Sequence, residues 1–309
     1  MVNSIQRVSI GTFVPEQFFR QYQKPGLPVI ITGLFAGERE WDLDYLCEQL
    51  GNRELLFRFY GHERYQQDKR QWTSIGSGVG LKRLPFERYA QMLRSGEARD
   101  RDIYLAKYPL TETPLANSNA LKTMGQRLGL NKPLTGLNIW AGPGGHVECL
   151  HYDPSDGTLI QLHGTKKVVL FPPEQTANLY PFPILSHLRH GLNLRCWFSQ
   201  VYPEKPDFAA FPKLEQALQH KYEVYLNSGE LLYIPAGWWH EVTALGDGMV
   251  CSVNRFWGIS PRIRAISSWS KWRSILGSVC AAPYVVLKLV MALGGRDRKQ
   301  KLSKILHQV

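Results

Sequence analysis

The chain has 309 residues, 44% of them hydrophobic, and a net charge of +11 from 37 Lys and Arg against 26 Asp and Glu, enough apolar content for one large domain or a domain with an appendage. Its five cysteines, Cys47, Cys149, Cys196, Cys251 and Cys280, are odd in number and lack C-x-x-C spacing, which argues against a disulfide framework and for a reducing compartment. The first residues lack the basic and long apolar regions of a secretory signal, so a cytoplasmic location is expected.

The charge is unevenly spread. From Arg262 onward ten Lys and Arg face a single acid, Asp297, so this end carries +9 and everything before it only +2. The basic character belongs to the tail, and the body is nearly neutral.

In chain order, VPEQFFRQYQ reads as a helix broken at Pro25 and Gly26, LPVIITGL as a short apolar strand, and DLDYLCEQLG as a second helix. Asp42 is placed to cap that helix, because a carboxylate there accepts from the free amides of the first turn, and Gly51 is placed to end it. Residues 61–85 are polar and Gly-rich, which predicts a loop or an irregular hairpin, read as solvated surface ahead of part of a substrate rim. PFERYAQMLRSG carries Phe86, Tyr89, Met92 and Leu93 at helical spacing, as a packed helix requires. IYLAKYPL, residues 103–110, reads as an edge strand, and 111–136 as a linker with a helical piece near residues 121–128.

The most informative stretch is residues 137–173, LNIWAGPGGHVECLHYDPSDGTLIQLHGTKKVVLFPP. On a strand or its edge, side-chain alternation turns His151 and Asp153 to one face and Tyr152 to the other, so one segment offers two metal ligands. The best third ligand is His240 in GELLYIPAGWWHEV. Two imidazoles and a carboxylate on one side of an ion, with the remaining positions open, form the arrangement of non-haem Fe(II) oxygenases. Open positions take a cosubstrate and dioxygen. TLIQLHGTKKVVLFPP reads as strand, Gly turn and strand ended by a Pro pair. Lys166 and Lys167 fall on opposite faces, so one of them faces inward, where it would pair with a carboxylate such as the distal one of 2-oxoglutarate.

Beyond Pro173 an irregular excursion contains His187 and His190, read as surface residues because no further ligands lie near them. IPAGWWHEV presents Trp238 and Trp239 beside His240, aromatics able to wall a metal from bulk water. MVCSVNRFW closes the body as a strand with Asn254 and Phe256 on one face.

The ordered set HYD, GTKKVVLFPP, GELLYIPAGWWHEV and SVNRFW, preceded by PGLPVIITGL, WDLDYLCEQLG, LPFERYAQML and IYLAKYPL, resembles the JmjC and cupin-like 2-oxoglutarate oxygenases. The likeness is to their small hydroxylase branch, which includes the asparaginyl hydroxylase of the hypoxia-inducible factor, and it covers most of residues 14–258. The resemblance implies a mainly β double-stranded β-helix, a jelly roll with flanking helices. It implies Fe(II) held by His151, Asp153 and His240, and 2-oxoglutarate anchored by Lys166. Tyr104 falls where the family often has a tyrosine bonding the cosubstrate carboxylate, or it is a half-buried strand aromatic. Asn254 falls at a position near the cosubstrate, or it is a buried strand amide. Two positions depart from the pattern: Glu148 stands where many relatives have Thr or Ser, and Gly157 where several have a larger residue. An acid at position 148 would repel a dicarboxylate unless it turns away or pairs with a base.

The resulting expectation is a catalytic domain over 1–260 and a basic, partly apolar helical region over 261–309. The expected reaction is 2-oxoglutarate-dependent hydroxylation of a C–H bond on a peptide or protein side chain. A tRNA-base hydroxylase and a non-catalytic cupin binding module are the alternatives. ILGSVCAAPYVVLKLVMALGG is long enough for one membrane-scale helix but is interrupted by Pro283 and Lys288. The first expectation there is a helical pair forming a homodimer, ahead of contact with an anionic membrane or with nucleic acid.

Overall fold

Short runs of alternating side chains, rich in Val, Ile, Leu and aromatics, build the molecule from strands that each need a neighbour to cover one face. The computed structural model describes residues 3–12, 14–75 and 79–293. In chain order the strands are β1 (Arg7–Ser9), β2 (Val29–Thr32), β3 (Glu54–Phe59), β4 (Gly80–Pro85), β5 (Ile103–Pro109), β6 (Asn138–Pro143), β7 (Val147–Tyr152), β8 (Asp156–His163), β9 (Lys166–Phe171), β10 (Tyr222–Leu226), β11 (Leu231–Ile234), β12 (Trp239–Ala244) and β13 (Met249–Trp257). They form a large sheet in the order β1-β2-β11-β8-β13-β6-β5-β3-β4 and a small one in the order β10-β9-β12-β7. Apart from the β1–β2 pair, the named strand pairings are antiparallel. This is the expected jelly roll.

The two faces of the large sheet do different work. One packs Ile139, Ala141, Leu105 and Val253 against the N-terminal helices, including Leu46 and Leu50 of helix Leu43–Leu50 and Phe86, Tyr89 and Met92 of helix Phe86–Arg94. Asp42 caps the first of these by accepting from the Tyr45 amide at 2.8 Å, as its sequence position requires. The other face meets the small sheet, and Ile30, Leu232 and Ile234 pack with Val168, Leu170 and Val224. That apolar plug fills part of the space between the sheets and leaves His151, Asp153, His240 and Lys166 to the rest.

Several local expectations are revised. β5 is not an edge strand, because β3 pairs with it on one side and β6 on the other. Residues 61–85 end in β4, which pairs antiparallel with β3, but they are not simply solvated surface, because Arg64 and Lys69 are buried. Lys69 donates to the Val201 carbonyl at 2.7 Å and lies 3.9 Å from the Tyr202 ring centroid. His187 is buried rather than superficial, its Nδ1 donating to the Gly191 carbonyl and its Nε2 accepting from the Cys196 amide. Long-range packing decides all three, and local composition does not record it.

The C-terminal region holds a short helix, Arg262–Ser267, and one long helix, Trp269–Leu293, which continues through Pro283. Arg264 forms an ion pair with buried Asp156, whose other oxygen accepts from the Ala236 amide. Arg273 donates to the Phe182 and Cys196 carbonyls. Gly277 permits the close approach, since a Cβ there would lie 2.7 Å from Cys196 Sγ and from His187 Nε2. The basic residues at 296–304 lie outside the described residues.

Candidate metal centre and cosubstrate pocket

β7 and β12 are antiparallel neighbours, and His151 is register-paired with His240. Strand alternation carries Asp153, just past the end of β7, to the same side as His151. The turn before β12 is tied to it, because the Gly237 amide donates to the Asp153 carbonyl at 2.9 Å. Nearest ligand atoms of His151, Asp153 and His240 all lie within 4.8 Å of one another. His240 Nε2 is 3.5 Å from Asp153 Oδ2, and the imidazole centroids are 4.3 Å apart.

The rings are also fixed in the correct tautomer. His151 Nδ1 lies 2.8 Å from the Cys149 carbonyl and His240 Nδ1 lies 3.0 Å from the Trp238 carbonyl. A carbonyl only accepts, so Nδ1 carries the proton and each Nε2 presents a lone pair. Burial, reinforced by His151, pulls the His240 pKa down to about 4, so it is neutral and available as a ligand at physiological pH. Two imidazoles and a carboxylate suit a divalent transition metal with open positions.

The aromatic shielding comes from a different side chain than the sequence suggests. Trp239 alternates away from His240 and packs edge-on against Tyr152, with its indole donating to Thr176. Trp238 packs against Tyr222 and donates to the Gly26 carbonyl. Phe198 covers the site instead, stacked on His151 at 4.8 Å and 11°. Its segment is joined to β7 by the Ser199 amide, which donates to the Leu150 carbonyl.

Lys166 is the inward lysine, 4% exposed, and its ammonium donates to Ser252 Oγ at 2.5 Å. Burial lowers its pKa to about 8, against the opposing influence of Cys251 and Glu148. A buried cation with one neutral hydroxyl partner is suited to receive a carboxylate. Lys167 points outward to Glu204. Tyr104 is buried and stacks on His146 at 3.9 Å, and Gly142 makes room for its ring, since a Cβ there would lie 2.0 Å from Tyr104 Cδ2. Asn254 shares a face of β13 with Ser252, and its Oδ1 accepts from the Trp140 indole at 2.9 Å.

Glu148 remains the departure noted in the sequence. Its carboxylate is opposed by burial, but Arg64, His151, His146 and Arg58 hold its pKa below the ordinary value. Apart from His151, the partners that keep it charged lie outside the HYD motif. Arg58 is register-paired with Tyr104, Lys107 sits at the irregularity in β5 with φ 55°, and Arg195 precedes Phe198. The pKa values of Lys107 and Arg195 are lowered first by burial and then by neighbouring cations, while Asp153 opposes the shift in both. The metal side is therefore flanked by positive side chains. No sequence spacing announces them, because strand pairing and a loop bring them together.

The fold, the convergent His151, Asp153 and His240 and the inward lysine define the class: a JmjC and cupin-like oxygenase scaffold. The family model described as "Cupin-like domain" matches residues 15–263, and the chain belongs to that family. Lysine-specific demethylase JMJ31 of Arabidopsis thaliana is 31% identical over 241 residues, covering 70% of this chain and 41% of the relative. Lysine-specific demethylase 8 of Danio rerio is 29% identical over 240 residues, covering 74% and 53%. The tRNA wybutosine-synthesizing protein 5 of Homo sapiens is 25% identical over 270 residues, covering 78% and 74%. The chain thus spans only 41% to 54% of the first four relatives it matches.

Proposed function

We propose that the protein is an Fe(II)- and 2-oxoglutarate-dependent dioxygenase that hydroxylates a C–H bond on a peptide or protein side chain, releasing succinate and carbon dioxide. The observation that carries this reading is the convergence of His151, Asp153 and His240, with both imidazoles oriented by backbone carbonyls. When bound, the iron, 2-oxoglutarate and dioxygen supply the oxidising chemistry that no amino-acid side chain provides. Lys166, assisted by Ser252, receives the distal carboxylate, and Tyr104 and Asn254 shape the same interior space. Phe198 keeps water from the His151 side.

The cations supply a further argument about substrate. A methylated lysine would bring a fixed positive charge toward Arg58, Lys107 and Arg195, and like charges in a partly dry site repel strongly. The environment favours a neutral or anionic substrate group over a methylammonium. It also supports a second reading, a tRNA-base hydroxylase, in which these cations and the basic tail meet phosphates.

Succinate formation in the presence of neutral or acidic peptide pools, trimethyl-lysine peptides and tRNA separates these readings. Stimulation by the neutral or acidic peptides, with an oxygen atom added to the peptide, supports protein hydroxylation. Stimulation by trimethyl-lysine peptides with formaldehyde release contradicts it, and stimulation confined to tRNA selects the second reading.

A further inference from the structure

The long C-terminal helix has two unlike faces. Ser270, Arg273, Ser274, Gly277 and Ala281 recur at helical spacing and are buried against the body. On the opposite face Trp272, Leu276, Val279, Val286 and Val290 are exposed, Val279 by 64% and Val290 by 60%. Trp269 is exposed near the start of the helix, and Ile263 and Ile266 in the short preceding helix extend the apolar surface. Trp269–Met291 is long and apolar enough to cross a membrane, with only 17% of its most apolar window buried. Its docked face is nevertheless engaged with the body, so this helix lies along the protein with the apolar stripe directed outward.

We propose that this stripe docks the protein on an anionic membrane surface, with the helix lying in the plane of the interface. Charge distinguishes this occupant from a second copy of the chain. Arg262 and Lys271 flank the start of the stripe, Lys288 lies on the other side of the helix over the Tyr284 ring, residues 294–309 add five more basic residues, and Asp297 is the sole acid after position 261. Two copies meeting through this face would bring basic groups together with no acid in the region to pair them. A negatively charged bilayer takes both the apolar stripe and its basic flanks. Trp269 and Trp272 beside Lys271 have the amphipathic rings that occupy headgroup levels.

The test is sedimentation of the full chain with phosphatidylcholine vesicles and with mixed phosphatidylcholine and phosphatidylglycerol vesicles, alongside light scattering of the protein alone. The expected result is at least about tenfold greater partitioning onto the anionic vesicles, weakened by salt, as several surface cations would produce. Trp272→Glu combined with Val279→Glu changes two outward positions, leaves the docked face intact and should abolish pelleting while the chain remains soluble. Failure of the wild-type chain to pellet with anionic vesicles overturns the proposal, as does equal pelleting of the double variant. A dimer that the double variant converts to monomer, without vesicle binding by the wild type, assigns the face to self-association instead.

Discussion

His151 and His240 face each other across β7 and β12 with their ring centroids 4.3 Å apart, and each has its Nδ1 held by the carbonyl two residues earlier in the sequence. The orienting contacts are thus local in sequence, while the pair itself depends on sheet register. His151→Ala should lower Fe(II) affinity by more than about a hundredfold, above the loss from removing an orienting hydrogen bond alone, while leaving the fold largely intact. Anaerobic metal titration with circular dichroism as the folding control measures both; unchanged affinity would remove His151 from the centre.

The adjacent lysines should separate cleanly. Lys166 faces Ser252 in the interior and Lys167 reaches Glu204 on the other side. Lys166→Ala should raise the KM for 2-oxoglutarate by at least about tenfold, because a desolvated charge pair is lost. Lys167→Ala should leave it near the wild-type value. The reverse pattern would show that the wrong lysine has been placed in the pocket.

The depressed pKa of Lys166, about 8, also predicts the pH dependence of cosubstrate binding. Above that pH the free protein holds a neutral amine and must take up a proton to bind the dicarboxylate, so Kd should rise by about tenfold per pH unit. Calorimetry in buffers of different ionisation enthalpy should detect that uptake. The stability contribution has a definite sign too: between the folded value and the unfolded value of about 10.4, the unfolded chain binds more protons, so this lysine makes stability rise with pH. Absence of both proton uptake and the rise in Kd would assign the carboxylate to another group.

Glu148 tests the sequence departure directly. It lies within the electrostatic reach of Lys166 and His240 and is held ionised chiefly by Arg64. Glu148→Gln should tighten 2-oxoglutarate binding by about threefold to tenfold, the effect of removing roughly 1 kcal/mol of repulsion in a partly screened site. Weaker binding, measured by the same titration, would mean that Glu148 helps to orient the cations that hold the cosubstrate.

How far the sequence reveals the site depends on the range of the interaction. His151, Asp153 and the opposite directions of Lys166 and Lys167 are legible because strand alternation operates over two residues. The helix cap at Asp42 is legible because its bond to the Tyr45 amide spans only three residues. Trp239 beside His240 is misleading when adjacency is taken for proximity, since alternation sends its ring to the Tyr152 side. The interior position of β5 depends on β3, over forty residues earlier in the chain, and buried His187 depends on the C-terminal helix. Phe198 and the cations Arg58, Lys107 and Arg195 come from separate elements, so no single motif contains them.

Succinate formed from 2-oxoglutarate under air, with and without Fe(II), is measured for the wild-type chain and for His240→Ala in the presence of the peptide pools. Iron-dependent succinate is expected from the wild-type chain and none above background from the variant. Succinate formation that persists in His240→Ala would contradict the metal centre, and a wild-type chain that binds neither Fe(II) nor 2-oxoglutarate would make this fold a binding module.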